Sequence, residues 1–196
     1  MAQAGVVPSP PSAVFDDGPM SESECTVPSR APVWSALQRR LHWAVVPLVL
    51  LQYLLQRPMH AASEAVSAGE PVTFVQFLVS TLHTWGGAAV ALLVLWRLVL
   101  RRRSPVPVAG GRFTARAARL VELHHRLLYV ALLAMALSGA LHYYAGLDAA
   151  ARWHEIGKWV LAALVSVHVL AATVHATRAG DTVLRRMWSG GDGPPR

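Results

Sequence analysis

The longest uncharged stretch of the chain reads FVQFLVSTLHTWGGAAVALLVLW and runs from Phe74 to Trp96. A helix that crosses a lipid bilayer needs about 20 predominantly apolar residues. Arg97 and the arginines 101–103 follow this stretch directly. Because clustered arginines are retained on the cytoplasmic side of a membrane, this pattern predicts a transmembrane helix.

Three other stretches have the same character. They are uncharged over residues 41–56, 127–147 and 159–177, and polar residues 153–158 precede the last one. The first, in a helix expected over residues 34–56, is short for a span unless Arg39 and Arg40 extend towards the lipid headgroups. Pro47 is expected to bend that helix. The sequence predicts an all-α fold, an integral membrane four-helix bundle with four transmembrane helices.

The composition excludes several classes of protein. Of the 196 residues, 54% are hydrophobic and 15% are charged, well below the roughly 25% of charged residues in soluble domains. The single cysteine, Cys25, excludes a disulfide framework, a cysteine-ligated cluster and covalently attached haem. The net charge is +7, but the basic residues lie beside the apolar stretches, so we expect no nucleic-acid partner.

The distribution of polar residues divides the chain into three parts. Residues 1–33 are rich in Pro, Ser, Ala and acidic residues and have no signal-peptide core, so we predict a disordered cytoplasmic tail. Residues 34–186 form the membrane domain, and residues 187–196 are expected to be a flexible tail. Lys and Arg concentrate between the second and third spans and near the C-terminus, which predicts cytoplasmic termini and outer loops after the first and third spans.

Histidines are the main chemical signal. The chain has nine, of which none lies in residues 1–33: His42, His60, His83, His124, His125, His142, His154, His168 and His175. All except His60 lie in or at the end of a predicted span. An imidazole inside a membrane indicates a functional site, although a single one can also simply form a hydrogen bond between helices.

The spacing in the fourth span suggests two layers of ligands. His154 and His168 lie 14 residues apart, which places them within about 40° on one helix face and about 21 Å apart along the axis. His42 lies at the same predicted depth as His168, and His83 at the depth of His154. Two bis-histidine sites stacked across a membrane fit a di-haem cytochrome b. Zinc is disfavoured, because its ligands cluster tightly.

Other histidines remain alternatives. His124 and His142 share a helix face but lie about 27 Å apart along it, close to the thickness of the hydrocarbon layer. His142 could replace His83 or His154 as an outer ligand, and His124 or His125 could act on the inner side. A role near the site without ligation is favoured for these three.

Several motifs together resemble the bacterial cytochrome b561 family over about residues 34–186. They are LHW at 41–43, LHTWGG at 82–87 with Arg97 further on, HHRLLY at 124–129, WHE at 153–155 and VHV at 167–169. The resemblance implies a bacterial inner-membrane oxidoreductase with two non-covalent b haems, which passes electrons between a small periplasmic donor such as superoxide and ubiquinone. By this resemblance His42 and His168 would bind the inner haem, and His83 and His154 the outer haem. The long acidic tail departs from the compact family pattern.

Two further residues are candidate catalytic groups. Lys158 lies one turn after His154 and could reach a haem propionate or an anionic reactant, although pairing with Glu155 is the alternative. His175 follows His168 on the same stripe and could hydrogen-bond a quinone carbonyl and relay protons, a role that the resemblance also suggests. An interface histidine is the alternative there.

Two competing functions remain open at this point. The chain could be the membrane anchor of a hydrogenase or dehydrogenase and exchange electrons with a docked soluble redox partner. It could also be a transporter or scaffold without a cofactor, in which case the purified protein would be colourless.

Overall fold

The computed structural model describes residues 34–104, 114–178 and 187–188. The predicted tail 1–33 and the remainder of the segment 187–196 lie outside the described residues. Four helices form the fold: α1 (Ala36–Ser67), α2 (Phe74–Arg103), α3 (Ala115–Ala145) and α4 (Asp148–Arg178). No strand occurs in the part of the chain that the structure describes, and the predicted all-α bundle is confirmed.

Capping residues fix where the first two helices begin. The Ser35 hydroxyl accepts a hydrogen bond from the Gln38 backbone N–H at 3.1 Å, and the Gln38 side chain accepts one from the Ser35 N–H at 3.0 Å. Thr73 and Gln76 form the same reciprocal pair at the start of α2. These bonds satisfy N–H groups that have no partner within the helix.

Helix α1 is longer than its apolar part. It continues through Pro47 and Pro58 and ends at Ser67, well beyond the predicted end near residue 56. The additional segment contains alanine and glutamate, which favour helix but are not apolar enough for a membrane interior. The uncharged stretch therefore marked the apolar section of the helix and not its end.

Three of the described helices are long and apolar enough to cross a membrane: α2, α3 and residues Asp148–Thr177 of α4. Their large apolar side chains are mostly exposed on the outside of the bundle, as at Phe74, Leu92 and Trp159. Such a surface is unfavourable in water and suits lipid. The chain is therefore a membrane protein. Helix α1 contains no stretch that is both as long and as apolar, so the fourth span stays a prediction.

The helices pack as two hairpins. Helix α1 packs against α2, α3 packs against α4, and α2 packs against α3, whereas neither α1 nor α2 packs its backbone closely against α4. Gly146 ends α3 with φ +64°, a left-handed conformation that glycine adopts without strain, and this allows the tight connection to α4. His42 of α1 and His83 of α2 face α4 across the resulting gap.

Candidate cofactor site

One pair of histidines, named here the outer pair, joins α2 to α4. The ring centres of His83 and His154 lie 6.2 Å apart. His154 Nδ1 lies 3.0 Å from the Met135 carbonyl oxygen and 3.2 Å from Ser138 Oγ. Because a carbonyl oxygen only accepts, Nδ1 carries the hydrogen and donates it, which leaves the Nε2 lone pair available to bind a metal.

Small residues shape the surroundings of the outer pair. A Cβ atom added at Gly139 of α3 would lie 3.1 Å from His154 Cε1, and one added at Gly157 of α4 would lie 2.6 Å from Met135 Sδ. Glycine at these two positions lets α3 and α4 approach closely. The close approach is what brings the Met135 carbonyl within reach of the His154 ring.

The second pair, named here the inner pair, joins α1 to α4. The ring centres of His42 and His168 lie 6.3 Å apart. His168 also has two neighbours on α3: the ring of His124 at 5.9 Å and nearly parallel, and the ring of His125 at 5.2 Å and nearly perpendicular. His125 Nδ1 lies 2.7 Å from the Val121 carbonyl oxygen, so this nitrogen also donates to the backbone.

The gap between the hairpins favours His42 over His124 and His125 as the partner of His168. Helix α3 packs directly on α4, which leaves little room for a flat macrocycle between their backbones. Helix α1 stands off from α4 and reaches it through side chains such as His42 and Tyr53. The structure therefore brings all four rings together, and of the three neighbours of His168 only His42 belongs to the first hairpin.

Both pairs fit haem on their geometry. Two imidazoles that bind one metal from opposite sides through bonds of about 2 Å have ring centres about 6 Å apart. The observed separations are 6.3 Å and 6.2 Å. His83 Nδ1 is buried and has no hydrogen-bond partner within the described ranges. Each pair can hold one haem iron in the gap between the hairpins.

A buried polar network beside the inner pair was missed by the sequence analysis. The Arg97 side chain donates from Nη1 to the Gln38 backbone oxygen at 3.2 Å and from Nε to Tyr129 Oη at 3.0 Å. Its guanidinium carbon lies 5.9 Å from the centre of the Trp34 ring. In the sequence Arg97 indicated the end of a span and accompanied one motif of the family resemblance. The available signal for its burial was its position one helical turn before the arginine triplet.

The remaining candidate residues are Lys158, His175 and His142. Lys158 forms an ion pair with Glu155, the alternative that the sequence left open, and its backbone oxygen accepts a hydrogen bond of 2.6 Å from Tyr53 Oη. His175 is half-buried near the end of α4. His142 is exposed at the end of α3, which makes it a weaker alternative as a ligand.

Comparison with known proteins identifies the family. The family model of prokaryotic cytochrome b561 matches residues 33–190. A similar protein, cytochrome b562 of Cereibacter sphaeroides, is 30% identical over 160 residues, which cover 81% of this chain and 97% of that protein. With two histidine pairs spaced to hold haem between apolar helices, the chain belongs to the prokaryotic cytochrome b561 family and is a membrane b-type cytochrome that carries haem b and acts in electron transfer.

Proposed function

We propose that this protein holds two b haems, one at the inner pair and one at the outer pair, and carries electrons across the bacterial inner membrane. The electrons would come from a small periplasmic one-electron donor and pass to ubiquinone on the cytoplasmic side. This makes the protein a quinone-linked oxidoreductase. Haem with two axial imidazoles takes up and releases one electron without an open coordination position.

The arrangement of the two pairs along α4 supports this proposal most directly. His154 and His168 lie 14 residues apart on one helix, about 21 Å along its axis. That distance spans most of the roughly 30 Å hydrocarbon layer. Each of the two histidines has a partner ring on the other hairpin at just over 6 Å. Two electron-carrying sites at these depths would connect the two faces of the membrane.

The cytoplasmic side is the better location for quinone reduction. A quinone that accepts electrons needs hydrogen-bond donors at its carbonyl oxygens and a supply of protons. His175 continues the stripe of His168 towards this side, and the His124 Nε2 atom is buried without a hydrogen-bond partner in residues 114–178 and the other described ranges. Imidazoles exchange protons near neutral pH, which suits both tasks.

The outer side offers a charged group for the donor. Lys158 lies one turn from His154, and its side chain is 22% exposed. A positive charge there attracts an anionic donor such as superoxide, and Glu155 offsets part of that attraction. Lys158 therefore serves the approach of the donor, and the outer pair receives the electron.

Transport across the membrane is tested in vesicles that hold the protein in one orientation. An anionic one-electron donor is supplied on the outer face only, and the absorbance of ubiquinone in the membrane is followed. We expect quinone reduction at a rate that depends on protein and is absent when the donor is supplied on the inner face. No quinone reduction from either face would contradict the proposed function.

The variant His175→Ala tests the quinone site. We expect quinone reduction to slow by about tenfold or more, because one general acid group contributes at least that much, while both haems stay bound and reducible from outside. The control is His60→Ala, which changes an exposed histidine paired only with Glu64. Unimpaired quinone reduction in His175→Ala would move the site elsewhere, with the neighbourhood of His142 as the next candidate.

A further inference from the structure

Arg97 is a buried positive charge without a carboxylate partner. The residue is 8% exposed, and both of its acceptors, the Gln38 backbone oxygen and Tyr129 Oη, are neutral. None of the ion pairs within the described ranges involves it. A buried charge that is not neutralised is costly, so its retention beside a cofactor site points to a function.

The charge of Arg97 acts on the inner pair. Gln38, which accepts one of its hydrogen bonds, lies one helical turn before His42 on α1. Tyr129, which accepts the other, lies one helical turn after His125 on α3, whose ring centre lies 5.2 Å from that of His168. Both acceptors therefore hold the guanidinium within one turn of the inner pair and its neighbour. Since water is excluded around it, this charge is screened far less than one on the surface.

Within the described ranges, no buried charge outside an ion pair lies close to the outer pair. Of the charged residues near His154 on α4, Lys158 and Glu155 form an ion pair with each other, and Arg152 is exposed. Arg97 itself follows His83 by 14 residues on α2, about 21 Å along the helix. The two sites therefore differ in their electrostatic surroundings, because a buried positive charge outside any ion pair of the described residues lies beside the inner pair.

We propose that Arg97 raises the reduction potential of the inner site above that of the outer site and thereby directs electrons inward. This inference rests on the proposed function, because it requires a haem at each pair. In the step, one electron leaves the outer site, which is oxidised, and enters the inner site, which is reduced. No bond forms or breaks and no proton moves. A site that gains an electron loses one positive charge, so a fixed positive charge nearby stabilises its reduced state.

The expected size of the effect follows from Coulomb's law. Two unit charges about 10 Å apart at an effective dielectric constant of about 20 interact strongly enough to change an equilibrium constant roughly tenfold. For a one-electron couple, a tenfold change corresponds to about 59 mV. Removal of the charge should therefore be visible in a redox titration.

Arg101 provides a matched control on the next turn of α2. Its guanidinium pairs with Glu122, which also accepts a hydrogen bond of 3.1 Å from Arg126. The Arg126 side chain is 73% exposed, so salt and water screen its charge more strongly than that of a buried residue. Loss of Arg101 removes a basic residue from the same region but leaves the buried charge of Arg97 in place.

The test is a redox titration of the haem absorbance in the purified full-length protein. The wild type is compared with Arg97→Gln, Arg97→Lys and Arg101→Gln, and the His42→Ala and His83→Ala variants identify which signal belongs to which site. We expect the inner site to have the higher potential in the wild type. Arg97→Gln should lower its equilibrium constant for reduction tenfold or more and that of the outer site by about fourfold or less. Arg97→Lys and Arg101→Gln should each stay within threefold of the wild type.

Several results would overturn the inference. One is an unchanged inner potential in Arg97→Gln, and another is an equal fall in Arg97→Lys, which would indicate packing and not charge. Loss of haem affinity without a shift in potential would make Arg97 an anchor for the cofactor. If Arg97→Gln does not bind haem, the wild type decides, because an inner potential at or below the outer one contradicts the inference. Fewer than two haems in the wild type would instead contradict the proposed function.

Discussion

His154 illustrates how a backbone contact fixes the tautomer of a proposed haem ligand. The Met135 carbonyl oxygen, 3.0 Å from Nδ1, selects the tautomer in which Nε2 carries the lone pair. The sequence indicated that His154 and His168 share one face of the helix, because they lie 14 residues apart. It gave no sign of the Met135 contact, which depends on how closely α3 and α4 approach.

Single substitutions in the two pairs should each remove one haem and leave the other bound. His42→Ala should remove the inner haem and leave the outer one, and His83→Ala should do the reverse, because each haem loses one of its two axial ligands. The haem-to-protein ratio and the difference spectrum of reduced minus oxidised protein measure both effects. His124→Ala is the control and should retain both haems. If His42→Ala keeps two haems with unchanged spectra, the inner ligand is His124 or His125.

The ion pair beside the outer site should act on an anionic donor with opposite signs at its two ends. Lys158→Gln should slow haem reduction by such a donor, and Glu155→Gln should accelerate it, each by roughly threefold at low salt. Stopped-flow absorbance at several ionic strengths measures the rates, with a neutral donor as the control. Changes of the same sign in both variants would remove Lys158 from the path of the donor.

At the scale of helices, apolar stretches located the helices better than they located their ends. Helices α1 and α3 extend well beyond the uncharged stretches 41–56 and 127–147, because a helix continues outside the membrane wherever its residues favour it. The capping pairs at Ser35 and Thr73 are readable in sequence as Ser or Thr followed three residues later by Gln. They would have fixed the starts of α1 and α2.

The close approach of α3 to α4 should depend on glycine at position 139. Gly139→Val should displace the His154 ring, because even a single added carbon would lie 3.1 Å from Cε1. We expect at least half of the outer haem to be lost from the purified protein, with the inner haem retained. Ala140→Val, at an exposed position next to it, is the matched control. Full occupancy of both sites in Gly139→Val would show that α3 does not support the outer pair.

At the scale of the whole molecule, helical spacing predicted two of the contacts between histidine rings. His42 and His168 meet, and so do His83 and His154, because position along a transmembrane helix fixes depth in the membrane. The rotation of each helix about its axis depends on packing, which a single sequence does not reveal. This is why the contacts of His124 and His125 with His168, and the burial of Arg97, emerged only in the folded bundle.

Helix α4 is connected to the first hairpin through side chains, because the backbones of α1 and α2 do not pack closely against it. The side chains that cross this gap include both histidine pairs and the hydrogen bond from Tyr53 to the Lys158 backbone. A cofactor bound by each pair would connect α4 to the first hairpin. The number of cofactors per chain is therefore the property that follows most directly from the architecture.

That number is measured by the ratio of haem to protein in the purified chain, combined with extraction into acidified acetone. Two bis-histidine sites and the absence of a C-x-x-C-H sequence predict two haems per chain, both fully extractable. A ratio of one, a colourless protein or haem that stays attached to the chain after extraction would contradict the account of two stacked b-haem sites.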